Sequence, residues 1–324
     1  MSNADAGVET ATHRGPRAIF FGLNCRMSLV PLVTLVERGV EVCAVIIPVP
    51  RVHGRPVSPI APVVPRTSRA VLPLMVPGRS ETLNQVAARH GIPVLQAGSL
   101  RHPTTIDALR ALEPDLLTVS CFPRRLPPGL LDIAQLGALN LHPSLLPAYR
   151  GPDPLFWIYR EGERQAGVTV HQITPELDAG DILSQQTVSL PDGIAGDVLE
   201  AQCAGIGGRL LADAAWALWQ GTAGRTPQDE REASYRPWPA PADLVIDPGW
   251  SARRAFNFIS GVIPLGYTPM IESSAVRCAV SGVTGFDECA VLDEPYSMKG
   301  QEMAVQCSPG VLYVTVAESG AAAR

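Results

Sequence analysis

Short unbroken apolar runs alternate with helically spaced apolar positions along the first part of the chain. Residues 17–22 form an apolar run that ends at a glycine, and residues 40–47 form a second run rich in β-branched side chains. Between them, the apolar residues of 28–38 recur every three or four positions, which is the spacing of one helix face. Strands without polar alternation are typical of a parallel sheet buried on both faces. The pattern therefore predicts a β–α–β unit.

The same alternation continues to residue 219 and predicts an α/β fold with a mainly parallel sheet. The turn after the first strand lacks the G-x-G-x-x-G pattern, so a dinucleotide-binding fingerprint is absent. The remaining predicted helices cover residues 81–90, 104–112, 130–136, 155–161 and 197–219, and the remaining strands cover 92–95, 115–121, 138–142, 167–173 and 182–190.

Residues 48–78 interrupt the alternation with many prolines and several arginines. Because proline removes backbone donors and restricts its neighbours, this stretch can be neither a regular helix nor an inner strand. Two interpretations stay open: a long surface loop, or an insertion that acts as a lid over a substrate.

The last third of the chain has a different pattern. Residues 221–242 are rich in prolines, charges and glycines, and the remainder has one predicted helix at 250–259 and several short β-like segments. The expected organisation is a flexible N-terminal tail at 1–16, an α/β domain at 17–222, a linker at 223–242 and a small β-rich C-terminal domain at 243–318.

Composition and charge argue against several classes of protein. Lysine and arginine total 26 against 31 aspartate and glutamate, the net charge is −5, and Lys299 is the only lysine. A general nucleic-acid-binding protein usually has a basic surplus, which this chain lacks. The seven cysteines include no C-x-x-C pair, so we expect reduced thiols and no metal site.

The sequence also contains no membrane signal. No apolar run approaches the roughly 20 residues that span a bilayer. Residues 1–17 lack the apolar core of a signal peptide. We therefore expect a cytoplasmic protein without a membrane partner.

The candidate chemistry lies at the end of the predicted strand 138–142. Asn140 and His142 are two residues apart, so their side chains project from the same face of the strand, which ends before Pro143. Ligands of open α/β sheets bind beyond such strand ends. With Asp178 in a glycine-containing loop, the set suits acyl transfer to an amine. His142 would accept the proton, Asn140 would stabilise the oxyanion, and Asp178 would orient the imidazole and raise its pKa.

The surrounding sequence identifies a family. Residues 140–151 read N-L-H-P-S-L-L-P-A-Y-R-G, and residues 167–183 read G-V-T-V-H-Q-I-T-P-E-L-D-A-G-D-I-L. These motifs closely resemble the folate-dependent formyltransferase family, and the resemblance extends over roughly residues 17–220. It implies a Rossmann-like formyltransferase catalytic domain with an OB-like C-terminal domain. It also implies that a formyl group moves from 10-formyltetrahydrofolate, the expected cosubstrate, to an amine.

Carried over position by position, the resemblance makes Asn140, His142 and Asp178 the catalytic residues. It places the folate against the turn after the predicted strand 115–121 and against two later loops. The expected folate contacts are Phe122, Arg124, Leu126, Ser144, Leu145, Pro175, Leu177 and Ala179.

Alternatives stay open for several of these residues. Phe122 and Leu126 can instead be core residues, and Arg124 can be a solvated surface arginine. Next to the motifs, His171 is expected to be a packed strand histidine, and Arg150 is a candidate contact for an anionic substrate.

The formyl acceptor depends on features outside the motifs. The two-domain plan favours methionyl-tRNA formyltransferase. The insertion at 48–78, which has arginines but no lysine, and the absence of a clear basic surface in the C-terminal domain disfavour a grip on tRNA phosphates. We therefore expect a small amine such as an amino sugar or an amino-acid-derived metabolite, with tRNA as the alternative. A formyltetrahydrofolate hydrolase and a non-catalytic folate-binding protein are further alternatives, and the oligomeric state stays open.

Overall fold

The computed structural model describes residues 15–49, 59–63, 81–247, 249–272 and 277–317, which fold around two β-sheets. The strands of the first sheet are β1 (Arg17–Gly22), β2 (Glu41–Pro48), β3 (Ile60–Pro62), β4 (Val94–Ala97), β5 (Leu116–Ser120), β6 (Ala138–His142), β7 (Gln165–Gln172) and β8 (Ile182–Ser189). The helices of this part are α1 (Arg26–Glu37), α2 (Leu83–Arg89), α3 (Pro103–Arg110), α4 (Pro128–Leu131), α5 (Pro154–Glu161) and α6 (Gly196–Trp219).

The first sheet has eight strands in the order β3-β4-β2-β1-β5-β6-β7-β8. The strands from β4 to β6 run parallel to one another. The additions at both edges are antiparallel: β3 pairs with β4, β7 with β6, and β8 with β7. This mainly parallel sheet flanked by helices confirms the predicted Rossmann-like α/β fold.

Alternating side chains of the central strands fill a separate core on each face of the sheet. On one face, Phe20 packs with apolar residues of α1 and α6. On the other, Ile19 and Phe21 pack with Leu109 of α3 and with α4. Each fully buried large apolar side chain stabilises the fold by roughly 1.5–3 kcal/mol. The strands are therefore held from both sides, as their unbroken apolar runs predict.

The predicted strands and most predicted helices of this part are confirmed, with small shifts at their ends. The helix predicted at 130–136 is wrong in length, because α4 ends after a single turn at Leu131. The N–H of Leu136 instead donates to the Asp115 carbonyl oxygen at 2.8 Å, and Gly137 follows with a φ of 82°. This turn aligns the chain for its entry into β6.

Within the interruption at 48–78, the structure describes residues 48–49 and 59–63. Ile60–Pro62 form β3, an edge strand that pairs with β4. Proline is tolerated at a sheet edge, because its missing N–H can face away from the ladder. The choice between a surface loop and a lid depends on residues that lie outside the described ranges. Residues 1–14 of the predicted N-terminal tail also lie outside them.

The elements of the second part are a 3-10 turn (Pro241–Leu244), β9 (Val245–Ile246), α7 (Ala252–Val262), β10 (Met270–Glu272), β11 (Arg277–Asp287), β12 (Tyr296–Lys299), β13 (Glu302–Gln306) and β14 (Val311–Val316). Its six strands form a sheet in the order β12-β13-β14-β11-β10-β9, which is antiparallel except for the pair β9–β10. Phe258 of α7 meets Phe156 of α5 at 5.8 Å between ring centres, so this part packs directly on the first. The predicted β-rich C-terminal domain is confirmed, whereas its exact limits stay a prediction.

None of the helices in the described ranges has the length and apolarity that crossing a bilayer requires. In the same ranges, no group of three or more His, Cys, Asp or Glu side chains is arranged to hold a metal ion.

Candidate functional site

Asn140 and His142 lie on one face of β6, as their spacing predicts. Asn140 stands opposite His171 of β7, and His142 stands opposite Thr169. Directly opposed residues of antiparallel strands share a face of the sheet. His142 is buried, whereas Asn140 is half-buried. The two side chains therefore lie together with side chains of β7 and face the loop that follows it.

Asp178 reaches this pair from the loop at 173–181, which joins β7 to β8. Its Oδ1 lies 3.4 Å from Asn140 Nδ2, and its Oδ2 lies 3.9 Å from His142 Nδ1. The backbone N–H of Gly151 donates to Oδ2 at 2.9 Å. Asp178 has a φ of 52°, a left-handed conformation that a short aspartate side chain tolerates. The three residues predicted to be catalytic thus form one cluster.

Hydrogen bonding fixes the orientation of the His142 ring. Its Nε2 lies 2.9 Å from the carbonyl oxygen of Tyr149, which can only accept. Nε2 therefore carries a proton and donates it, while Nδ1 keeps a lone pair that faces Asp178. A proton taken up at Nδ1 would lie between the imidazole and the carboxylate. This geometry suits a base whose protonated form is stabilised by Asp178.

Burial and neighbouring charges set the pKa values of the pair. Burial lowers the pKa of His142 and outweighs the raising effects of Asp178 and of the Tyr149 carbonyl. Burial alone would raise the pKa of Asp178, but the two imidazoles and the Gly151 N–H together hold it at about 2. At neutral pH the cluster therefore contains a neutral imidazole beside a carboxylate. The expected net rise in the pKa of His142 is wrong, because the ring is removed from water.

His171 belongs to this cluster, which the sequence reasoning missed. Its Nδ1 lies 2.9 Å from the Gln172 carbonyl oxygen, so Nδ1–H donates there. Its Nε2 then accepts from Asn140 Nδ2 at 3.1 Å and lies 3.6 Å from Asp178 Oδ1. His171 thus orients the Asn140 amide rather than only packing. The available signal was a histidine that follows the buried valines of the motif strand.

Residues 226–238, called here the linker segment, pack against the Asp178 loop. Gln228 Nε2 donates to two carbonyl oxygens of that loop, at 2.8 and 2.7 Å. Arg150 in turn donates to Gln228 Oε1 and to both carboxylate oxygens of Glu230. Its guanidinium therefore holds the linker segment against the site. From the sequence, Arg150 was a candidate contact for an anionic substrate.

The linker segment also contacts the backbone of the site. Tyr235 pairs with Arg150 in an isolated bridge. At Gly151, which has a φ of 122°, an added Cβ would lie 2.1 Å from the carbonyl oxygen of Arg236. Only glycine fits there, because both its conformation and this close approach exclude a side chain. The turn that supplies the N–H to Asp178 is therefore shaped by the linker segment.

The predicted folate contacts after β5 have other partners in this structure. Phe122 is half-buried and packs edge-to-face on Phe21 at 5.4 Å, and Leu126 is buried in the same core. Arg124 donates to three backbone carbonyl oxygens just after β2 and at the end of β4, at 2.9–3.0 Å. It is therefore a clamp on the strand ends rather than a solvated arginine. Folate binding by these three residues stays a prediction.

The other predicted folate contacts lie beside the catalytic cluster. Ser144 is fully buried and its Oγ donates to the Ala148 carbonyl oxygen at 2.8 Å. Leu145 is half-buried and packs so closely on Gly167 that an added Cβ there would lie 2.2 Å from its Cδ2. In the Asp178 loop, Pro175 is exposed, whereas Leu177 and Ala179 are half-buried. As folate contacts, these five also stay predictions.

A cavity of about 640 Å³ lies elsewhere, between α1 and α2. Its lining includes Cys25, Leu29, Glu81 and Glu200, and none of the residues predicted to bind folate or to catalyse. Because a reaction takes place where the reacting groups are, we assign the candidate site to the Asn140 cluster and not to this hollow.

Comparison with known proteins supports the assignment of a family. Residues 60–213 match the profile of the family described as Formyl transferase. The methionyl-tRNA formyltransferase of Geobacter metallireducens is 30% identical over 285 residues, which are 87% of this chain and 85% of that protein. The methionyl-tRNA formyltransferase of Citrifermentans bemidjiense is 38% identical over 176 residues, or 54% of this chain, and this match spans about half (49%) of that protein's length.

Among solved structures, the chain is similar to an N-formyltransferase from Helicobacter canadensis, determined with folinic acid and dTDP-3-aminofucose. The TM-score is 0.63, and the match covers 93% of this chain and 99% of that one at 14% sequence identity. At so low an identity, the similarity shows the fold alone.

These matches correct the expectation of a small amine as acceptor. Six curated relatives that are 30–47% identical are all named methionyl-tRNA formyltransferase. The expectation rested on an insertion with arginines but no lysine and on the absence of a clear basic surface in the sequence of the C-terminal domain. A count of cationic residues along the sequence, however, does not report which of them the fold brings together to meet a nucleic acid.

The expectation of a formyl-transferring enzyme is confirmed at the level of the family by the profile match and by the names of these relatives, and the folate cosubstrate follows from membership of that family. The match to the Geobacter metallireducens protein extends over 285 residues and thus includes both domains. This chain belongs to the folate-dependent formyltransferase family.

Proposed function

We propose that this chain transfers the formyl group of 10-formyltetrahydrofolate to the α-amino group of methionyl-tRNA. The observation that carries the proposal is the 30% identity to a methionyl-tRNA formyltransferase over 87% of this chain. An acceptor shared with that relative accounts for similarity in the C-terminal part as well as in the catalytic domain. A cytoplasmic location is part of the proposal, because charged initiator tRNA is made there.

The donor set at the end of β6 fits a formyl group. 10-Formyltetrahydrofolate supplies the carbonyl carbon and oxygen when it is bound. Asn140 Nδ2 has a short bond to His171 and a longer one, of 3.4 Å, to Asp178 Oδ1. The longer bond is the one more easily exchanged for the formyl oxygen. Asn140 would then donate to the negative charge that develops on this oxygen.

His142 provides the complementary function of a base. The attacking amine must lose a proton, and the free lone pair of His142 Nδ1 is the acceptor in the cluster. Because burial lowers the pKa of His142, the ring is neutral and ready to accept at neutral pH. Asp178 stays ionised beside it and stabilises the imidazolium as it forms.

A direct assay tests the proposal. The purified chain is incubated with 10-formyltetrahydrofolate and initiator methionyl-tRNA, and the aminoacyl ester is analysed by mass spectrometry for formylmethionine. We expect formylation with the wild type and a loss of about 10²–10⁴-fold in rate with His142→Gln. The matched control His90→Gln alters an exposed histidine at the end of α2 and should retain the wild-type rate.

Two outcomes would overturn the proposal. The first is formylation of an amino sugar nucleotide but not of methionyl-tRNA, which would disprove the acceptor. The second is full activity of His142→Gln, which would disprove the assigned base. Binding of methionyl-tRNA should also weaken steeply with added salt, because tRNA contacts release counterions.

A further inference from the structure

Cys25 and Cys121 lie side by side at the carboxyl ends of two neighbouring strands. Cys25 follows β1 and begins α1, and Cys121 follows β5 directly. The two strands are parallel neighbours, with Gly22 paired to Ser120. The two thiols are close enough to interact. The sequence gives no sign of this pair, because 95 residues separate them in the chain.

A pair of buried serines holds the two cysteine backbones in place. Ser28 Oγ donates to the Ser120 carbonyl oxygen at 2.6 Å, and Ser120 Oγ donates to the Met27 carbonyl oxygen. Ser28 Oγ also lies 3.6 Å from Cys25 Sγ. The first turn of α1 is therefore fixed against the end of β5, so the thiol contact is a built feature of the fold.

The two thiols differ in reactivity. The neighbouring Cys121 thiol lowers the pKa of Cys25 to about 7, against the raising effect of burial and with help from Ser28. Cys25 also directly precedes the first turn of α1, whose free N–H groups favour a thiolate. The same interaction raises the pKa of Cys121, which keeps its proton. Cys25 is thus the nucleophile of the pair.

A small molecule can reach Cys25, which lines the cavity of about 640 Å³ between α1 and α2. Cys121 is an exposed residue. Among the described residues that line this cavity, Glu37, Glu81 and Glu200 supply three carboxylates and Arg26 supplies one cation. An uncharged or cationic reagent should therefore enter more readily than an anionic one.

We propose that Cys25 and Cys121 form a reversible disulfide by exchange with a small uncharged disulfide. The Cys25 thiolate attacks one sulfur of the reagent, forms a mixed disulfide and releases the first thiolate. Cys121 then loses its proton and attacks Cys25 Sγ, which releases the second thiolate. Two protein thiols are oxidised, one small disulfide is reduced to two thiols, and the protons end on the released thiols. This modification site is independent of the proposed function.

The test uses hydroxyethyl disulfide on the full chain, followed by blocking of free thiols and peptide mass spectrometry without reductant. We expect the peptides of Cys25 and Cys121 to be cross-linked, and dithiothreitol to reverse the link. Cys121→Ser should stop at a mixed disulfide on Cys25, and Cys25→Ser should abolish the link. Cys289→Ser, which alters an exposed cysteine of the C-terminal domain, should leave the link unchanged.

A kinetic measurement keeps the inference falsifiable if a variant is unstable. At pH 7, a thiol with a pKa near 7 should react with the reagent about threefold faster than an ordinary exposed thiol, since its larger thiolate fraction outweighs its weaker nucleophilicity. The inference is overturned if wild-type Cys25 reacts no faster than Cys289. It is equally overturned if the Cys25–Cys121 link forms only after the protein is unfolded in urea.

Discussion

Replacing Asp178 by asparagine preserves the size of the side chain and removes its charge. The new amide oxygen can still accept from the Gly151 N–H, which lies 2.9 Å from Oδ2 in the native protein. The new amide nitrogen would then face Asn140 Nδ2, another donor, where the native carboxylate accepts at 3.4 Å. The variant therefore loses an acceptor and the charge that stabilises a protonated His142.

The magnitude follows from the pKa of Asp178, which is held at about 2 against an ordinary value of 3.8. At about 1.4 kcal/mol per unit of pKa, this difference corresponds to about 2 kcal/mol of folding free energy. Because the pKa is depressed in the folded state, this stabilisation is complete above about pH 4. It is lost as the pH falls from there towards about 2.

Urea unfolding followed by tryptophan fluorescence measures this difference. We expect Asp178→Asn to be less stable than the wild type by at most about 2 kcal/mol, because the part of the pKa shift that comes from the imidazoles is present only while they are protonated. The gap should narrow as the pH falls below about 4. Asp181→Asn, the same change three residues along the loop, is the matched control and should have little effect. A gap that keeps its size in acid would refute the reasoning, because the charge would then contribute nothing.

Three further predictions concern the site and its supports. The rate kcat/KM should rise with pH to an inflection below 6.5, the ordinary value for His142, since burial lowers its pKa; an inflection above 6.5 would contradict this cause. Gly180→Ala should destabilise the protein in thermal unfolding, because the new Cβ would lie 1.9 Å from the Gln172 carbonyl oxygen. The control Gly205→Ala has open space around the new Cβ on α6 and should stabilise the protein by roughly 0.5–1 kcal/mol. Gln228→Ala removes two hydrogen bonds to the Asp178 loop and should lower kcat by about tenfold, at about 0.5–1.5 kcal/mol for each bond; an unchanged kcat would show that the loop holds itself.

The parts of the fold that the sequence predicted are those in which local pattern and tertiary packing agree. β1 was predicted at its observed limits, because a strand buried on both faces must be apolar throughout. The segment after Leu131 was predicted as helix, but a hydrogen bond from the Leu136 N–H to the carbonyl oxygen of Asp115, just before β5, decided its path. β3 has too few residues to give a periodic signal at all.

The candidate site shows the same division. The side-chain alternation placed Asn140 and His142 on one face, since this depends only on local geometry. The sequence could not reveal that Arg124 donates its hydrogen bonds to backbone carbonyl oxygens, or that His171 orients the Asn140 amide. In both cases the two interacting residues come from distant segments of the chain. The predicted direction of the His142 pKa shift was also wrong, because this direction depends on how far the folded chain removes the ring from water.

The linker segment limits where the chain can be divided into separate domains. A cut after residue 222 follows the composition of the chain and would seem to release an intact catalytic unit. Such a cut would, however, remove Gln228, which anchors the Asp178 loop, and the Arg236 carbonyl against which Gly151 is shaped. A chimaera that exchanges the C-terminal domain should therefore be joined after residue 238. Neither domain carries the whole candidate site, because residues that belong to neither domain by composition hold the Asp178 loop and the turn at Gly151 in place.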